Sequence, residues 1–300
     1  MNKSIIALTV CATLLSACTT SNNSPNNSTH QNQATVQSPM NQQHTYTISE
    51  QKIQLPNSQK IYGKLYRPNN LTGKQPIIIY SHGLGGNYEI LENFAKALAE
   101  KGITGYAFDF RGGGEKSQSS GKTTDMTVLT EVDDLTNIIS TVKTWDFVDS
   151  SKVILLGESQ GGAVSALTAS EISNDIAGLI TFYPAYAMVD DSKAKYPNVN
   201  EIPDVTRYFG IIDLGRQYFI DARNLNPYAK IGRYNKPMLL VYGNADKIVN
   251  IKYSEQASQV YPKVTYHVID GAGHGFNEKS HFEQALGYVE TYLKQNGLMK

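Results

Sequence analysis

The 300-residue sequence predicts an α/β fold built on a doubly wound, mostly parallel sheet, and three observations predict it. Short apolar, β-branched runs recur at Pro76–Tyr80, Ile103–Phe110, Val153–Leu156, Ile176–Tyr183, Pro237–Tyr242 and Val264–Ile269, as strands covered on both faces do. Segments of helical spacing separate them, at Glu89–Lys101, Val128–Trp145, Ala163–Ile172, Ile251–Val260 and Glu278–Leu293. Several of the runs end in glycine-rich turns, where such sheets carry their ligands.

Composition narrows the function. Lys plus Arg and Asp plus Glu both number 27, and a chain without a basic excess lacks the electrostatic footprint that nucleic acid requires. The N-terminus has Lys3, an apolar run from Ile5 to Leu15, and Leu15-Ser16-Ala17-Cys18. The run is too short for a permanent bilayer span. Cys18 and Cys11 are the cysteines of the chain, so with Cys11 lost in a leader and Cys18 modified, neither a disulfide nor a cysteine metal site is expected. Thr19–His44 is uncharged and dominated by Asn, Ser, Thr and Gln. Such a stretch cannot bury enough apolar surface to fold.

In chain order, alternating Tyr46–Gln54 and Lys60–Tyr66 around Pro56-Asn57-Ser58 predict an antiparallel hairpin. The Pro76–Tyr80 strand runs into Ser81-His82-Gly83-Leu84-Gly85-Gly86-Asn87. A dinucleotide loop would need glycine where Tyr88 stands. An oxyanion loop offering the backbone N–H of Leu84 to a developing negative charge fits instead. His82 is placed to order this turn rather than to serve as a base. Gly102 suits the stop of the Glu89–Lys101 helix.

Val153-Ile-Leu-Leu-Gly-Glu-Ser-Gln-Gly-Gly162 reads as strand, sharp turn and helix, the context that gives G-x-S-x-G its meaning as a nucleophile elbow at Ser159. An ordinary βα turn with a capping serine is the competing reading of the motif alone. Residues 184–233 break the rhythm and are too long for a plain connection. They predict a small helical cap containing Tyr186, Tyr196, Tyr208, Phe209, Tyr218, Phe219 and Tyr228, some of which roof the site. Asp246 follows the strand ending at Tyr242, and His274 follows the strand ending at Ile269. Ser159, Asp246 and His274 therefore share the carboxyl-end rim, in the order nucleophile, acid, base. His267 and His281 compete poorly as the base; Asp270 and Asp221 are the alternative acids.

From about Tyr46 onward the chain resembles the α/β-hydrolase superfamily. Gly-Glu-Ser-Gln-Gly-Gly and Ser-His-Gly-Leu-Gly-Gly-Asn are similar to motifs of bacterial cinnamoyl or feruloyl esterases, as are Met126–Leu129 and Ile202-Pro203-Asp204. Glu158 departs from that pattern, which often has His there, and Leu84 stands where Phe is frequent. The resemblance implies a serine carboxylesterase with the triad Ser159–His274–Asp246, an acyl-enzyme, an oxyanion hole from the N–H groups of Leu84 and Gln160, and no metal or organic cofactor. It also implies a contact from Asp191 to a phenolic hydroxyl of a hydroxycinnamoyl ester. An acylglycerol lipase or general acyl esterase shares the chemistry, and a catalytically inactive hydrolase fold serving as a binding module is the reading from another class.

Leu-Ser-Ala-Cys resembles the lipobox of bacterial lipoproteins, which implies a signal peptide at 1–17, lipidation of Cys18, attachment to the cell-envelope membrane and, with Thr19 following, the outer membrane. Residues 18–45 are then a tether spanning on the order of 30 Å, and 46–300 the hydrolase domain with its cap at about 184–233.

Overall fold

Successive residues of the central strands face opposite cores. Ile77 and Ile79 sit in one buried cluster and Ile78 and Tyr80 in the other, as do Val153 and Leu155 against Ile154 and Leu156. Each buried aliphatic side chain contributes about 1.5–3 kcal/mol relative to an exposed one, so a run apolar at every position is stable only as a strand between two helical layers. The computed structural model describes residues 43–300 apart from Asn57. The expected leader, Cys18 and the expected tether as far as residue 42 lie outside the described residues.

The elements run β1 (Tyr46–Glu50), β2 (Ile53–Gln54), β3 (Lys60–Ile61), β4 (Gly63–Pro68), β5 (Gln75–Ser81), α1 (Glu92–Glu100), β6 (Thr104–Phe108), α2 (Val128–Val142), β7 (Val148–Glu158), α3 (Ser159–Glu171) and β8 (Gly178–Phe182). They continue with α4 (Met188–Lys195), β9 (Val205–Tyr208), β10 (Ile212–Gly215), α5 (Arg216–Asn224), α6 (Pro227–Ile231), β11 (Met238–Gly243), α7 (Lys252–Val260), β12 (Val264–Ile269) and α8 (Lys279–Gln295).

The main sheet has eight strands in the order β1-β4-β6-β5-β7-β8-β11-β12. From β6 to β12 the pairings are parallel; β1 and β4 join antiparallel at one edge. This is the α/β-hydrolase fold. Helices α2, α3 and α7 cover one face and α1 and α8 the other. The expected opening hairpin is present as the β1–β4 ladder, with β2 and β3 pairing inside it. His44 donates its N–H to Glu100 O at 2.7 Å, joining the start of the described chain to the end of α1.

Two details differ from the sequence reading. The 184–233 insertion is not purely helical, because β9 and β10 form an antiparallel ribbon within it. Its alternating exposure along Val205–Tyr208 is that of a strand with one face on the core. Helix α3 is buried from Gln160 to Ser170 on every side, which explains why it carries Ala, Gly, Ser and Thr rather than an amphipathic stripe.

Candidate active site

Because β5, β7, β8, β11 and β12 are parallel, the loops after them meet at one edge of the sheet. Strand β7 stops at Glu158, and Ser159 turns with a φ of 52°, a left-handed conformation that costs a non-glycine residue free energy and marks functional turns. The turn is tight enough that a side chain on Gly161 would overlap the backbone oxygens of Ser81 and His82, and one on Gly157 would overlap Gly161 O. Glycine at both positions lets α3 start directly over the end of β5. Ser159 O accepts from Ala185 N–H at 2.9 Å, fixing the entry to the insertion.

The acid and the base are brought together by cross-links between their loops. Ala245 N–H donates to Ala272 O at 2.9 Å, Asn244 Nδ2 to Asp270 Oδ1 at 2.8 Å, and Gly271 N–H to Asn244 Oδ1 at 2.7 Å. Asp246 Oδ1 accepts from the N–H groups of Ile248 at 2.7 Å and Val249 at 3.0 Å, and Oδ2 lies 2.7 Å from His274 Nδ1. The Asp246 carboxylate is fully buried while the His274 side chain keeps 21% of its exposure, so the imidazole edge away from Asp246 remains reachable. Asp270 is engaged with Asn244, and Asp221 pairs with Gln217 on the exposed face of α5; neither alternative acid takes the place of Asp246.

His82 is wholly buried and does not act as a base. Its Nε2 accepts from Phe110 N–H at 3.1 Å, so the proton sits on Nδ1, which donates to Gly83 O at 2.7 Å. Burial pushes its pKa down to about 4. The neutral ring therefore braces the loop, which Gly85 N–H extends by donating to Gly113 O at 2.9 Å. Among the described residues, no hydrogen bond occupies the N–H of Leu84. Gln160 lies in the first turn of α3, where backbone N–H groups have no acceptor within the helix.

Leu84, Ser159, Gln160, Met188, Asp191, Tyr208, Phe209, Tyr218, Ile248 and Val249 line one narrow cleft of about 50 Å³. Of the cap aromatics, Tyr208, Phe209 and Tyr218 reach it. Tyr186 instead bonds Tyr261 through its hydroxyl at 3.0 Å, Tyr196 bonds Thr206 at 2.7 Å, and Tyr228 donates to Tyr253 O at 3.1 Å, all as packing. Phe209 and Ile248 are 63% and 61% exposed, so the mouth of the cleft is apolar and wet. Asp191 is the acidic group of the lining; burial, then the charge of Asp190, raises its pKa, and Lys252 opposes the rise.

Sequence reasoning missed the support beneath the cleft. Gln160 donates from Nε2 to Glu131 Oε2 at 2.8 Å and accepts from the Tyr218 hydroxyl at 2.7 Å. Glu131 is completely buried in α2, and desolvation raises its pKa to about 8. An acid on the inward face of an amphipathic helix was the available signal.

Residues 73–208 match the family described as serine aminopeptidase, S33. That segment holds the Leu84 loop and Ser159, while Asp246 and His274 lie beyond it. The fold is that of the α/β-hydrolases, and the matched segment carries the sharp turn at Ser159. In particular, the chain is 28% identical over 142 residues to the quorum-quenching protein AidA of Acinetobacter baumannii, covering 47% of this chain and 45% of that one. The match thus spans less than half the length of that relative. It is 25% identical over 261 residues to a Mycoplasma genitalium protein assigned to the esterases and lipases, across 74% of this chain and 92% of that one. In structure it resembles Est1E from Butyrivibrio proteoclasticus, solved with ferulic acid bound, with a TM-score of 0.74, 24% identity, and coverage of 82% and 98% of the two chains.

Proposed function

We propose that the protein is a serine carboxylesterase that uses Ser159, His274 and Asp246 as its triad. The observation that carries this reading is the 2.7 Å pair of His274 Nδ1 and buried Asp246 on the rim where Ser159 makes its strained turn. Asp246 fixes the proton on Nδ1, leaving Nε2 free to take the proton of Ser159 Oγ as that oxygen attacks an ester carbonyl. The N–H groups of Leu84 and Gln160 receive the oxyanion. Collapse expels the alcohol, protonated by His274, and water deprotonated by the same imidazole then releases the acid from the acyl-enzyme.

A flat aryl acyl group of the hydroxycinnamoyl type is the favoured substrate, held between Met188, Tyr208 and Tyr218, with Asp191 accepting from its phenolic hydroxyl. The raised pKa of Asp191, a solvent-exposed residue on the cleft lining, suits a group that gains a donor when substrate arrives. The exposed apolar mouth at Phe209 and Ile248 favours a second substrate reading, acylglycerols or other acyl esters whose chains lie outside the cleft. Turnover of aryl, short-acyl and long-acyl esters by wild type and Ser159→Ala separates these readings. Preference for feruloyl esters supports the first, preference for long chains the second, and unchanged turnover in Ser159→Ala refutes the triad.

The same proposal places the enzyme at the cell envelope, with Cys18 lipidated and the intervening chain acting as a tether, the outer membrane being favoured. Cys18→Ser is expected to release it from membranes; undiminished membrane association refutes lipid anchoring.

A further inference from the structure

Glu158, directly ahead of Ser159, is only 6% exposed. A buried carboxylate costs several kcal/mol unless charge and hydrogen bonds compensate it, so its presence one residue from the nucleophile requires partners. Three converge on it from separate elements. Gly83 N–H, in the loop after β5, donates a hydrogen bond to Oε1. Tyr183, the residue after β8, and His274, in the loop after β12, both act on the same carboxylate electrostatically. Tyr183 holds a φ of 36°, a strained turn that sets its ring centroid 4.4 Å from that of His274, tilted at 51°.

We propose that Glu158 is a positioning residue for the esterase reaction: its carboxylate ties the oxyanion loop to the nucleophile elbow and supplies His274 with a second negative charge besides Asp246. The inference rests on the triad reading above. A side chain on Gly83 would come within 2.6 Å of Glu158 Oε1 and 2.9 Å of Ser159 Cβ, so the loop, the acid and the nucleophile are in mutual contact. Leu84 follows Gly83, and fixing the Gly83 N–H on Glu158 fixes the peptide unit next to the proposed oxyanion donor.

The chemistry needs this charge twice per turnover. His274 becomes an imidazolium when it takes the Ser159 proton and again when it activates water. Asp246 balances that charge from the Nδ1 side; Glu158 balances it from the side of Tyr183. Burial is the largest influence on Glu158 and raises its pKa, while His274 and the Gly83 N–H donor work in the opposite direction and favour the anion. His82, the other titratable side chain of the loop, is neutral and turned toward Phe110.

Glu158→Gln keeps an oxygen for the Gly83 N–H and removes only the charge. In pH profiles of a chromogenic ester, we expect it to lower kcat by about tenfold and leave KM within about twofold. Losing the anion disfavours the positive charge that forms in the site, so the acid limb of kcat/KM is expected to move to lower pH by about half a unit. Glu158→Ala, which also releases the loop, is expected to lower kcat by about 100-fold or more. Tyr183→Phe should move kcat and the acid limb in the same direction as Glu158→Gln, by less.

A Glu158→Gln enzyme with wild-type kcat and an unmoved acid limb overturns the proposal, as does a loss of turnover that merely follows a lower folded fraction in thermal unfolding. Should Glu158→Ala fail to fold, the isosteric Gln variant decides alone. Ser159→Ala is assayed alongside: turnover retained there refutes the triad itself, whereas an inactive Ser159→Ala with unaffected Glu158→Gln refutes only the role of Glu158.

Discussion

Replacing Asp246 by Asn tests the acid through hydrogen-bond direction alone. Asp246 Oδ1 accepts two backbone N–H groups, from Ile248 and Val249. An asparagine must keep its carbonyl oxygen there, because turning its NH2 toward two donors leaves both unsatisfied at about 1–3 kcal/mol each. The NH2 then faces His274 Nδ1, which has to accept, so the ring proton moves to Nε2. An imidazole protonated on Nε2 cannot take the Ser159 proton. The expected result is a kcat lowered about 10³- to 10⁴-fold, equivalent to about 4–5.5 kcal/mol of barrier. Stability should change little, since the backbone donors keep their acceptor. Stopped-assay or chromogenic measurement of kcat beside a thermal melt checks both halves. An Asp246→Asn enzyme within tenfold of wild type, with an unchanged melt, refutes the tautomer reasoning and the assignment of Asp246.

Glu131→Gln tests the acid beneath the cleft. Its folded pKa of about 8 exceeds the unfolded value, so the neutral form favours folding. That contribution is fully present below about pH 4.5 and is lost as pH rises toward 8. Wild type should therefore lose a few kcal/mol relative to the Gln variant between about pH 5 and 8 in denaturant titrations, and parallel pH dependences count against a buried neutral acid. Gly161→Ala places a methyl against the carbonyl oxygens of Ser81 and His82; a stability loss of about 1–3 kcal/mol or more with a lower kcat is expected, and a normal melt contradicts the close packing of elbow and loop. Phe209→Ala, at a side chain 63% exposed, should leave the melting temperature within about 2 °C while raising KM for aryl or long-chain esters several-fold; an unchanged KM removes Phe209 from substrate contact.

Much of the site was legible before the fold. The β-branched runs could be satisfied only as strands between two layers, and strands separated by helices put every following loop on one edge. Gly157-Glu158-Ser159-Gln160-Gly161 sits where the chain must turn sharply. Asp246 and His274 stand out because each follows a strand of that sheet. The β9–β10 ribbon was hidden for a different reason: its strands are four residues long, and the aromatic residues around them suit packing in either secondary structure.

The sequence by itself determined the strand and helix periods, the neutral surface and the chain order of Ser159, Asp246 and His274, because local geometry is written in spacing and in glycine. Tertiary structure alone decided which groups face one another. The pairing of Asp246 with His274 depends on cross-links between loops after different strands. The tautomer of His82 depends on Phe110, and the surroundings of Glu158 depend on Gly83, Tyr183 and His274, which no periodicity relates to position 158. A buried charge is defined by its neighbours in space, and those neighbours are set by how the sheet is wound.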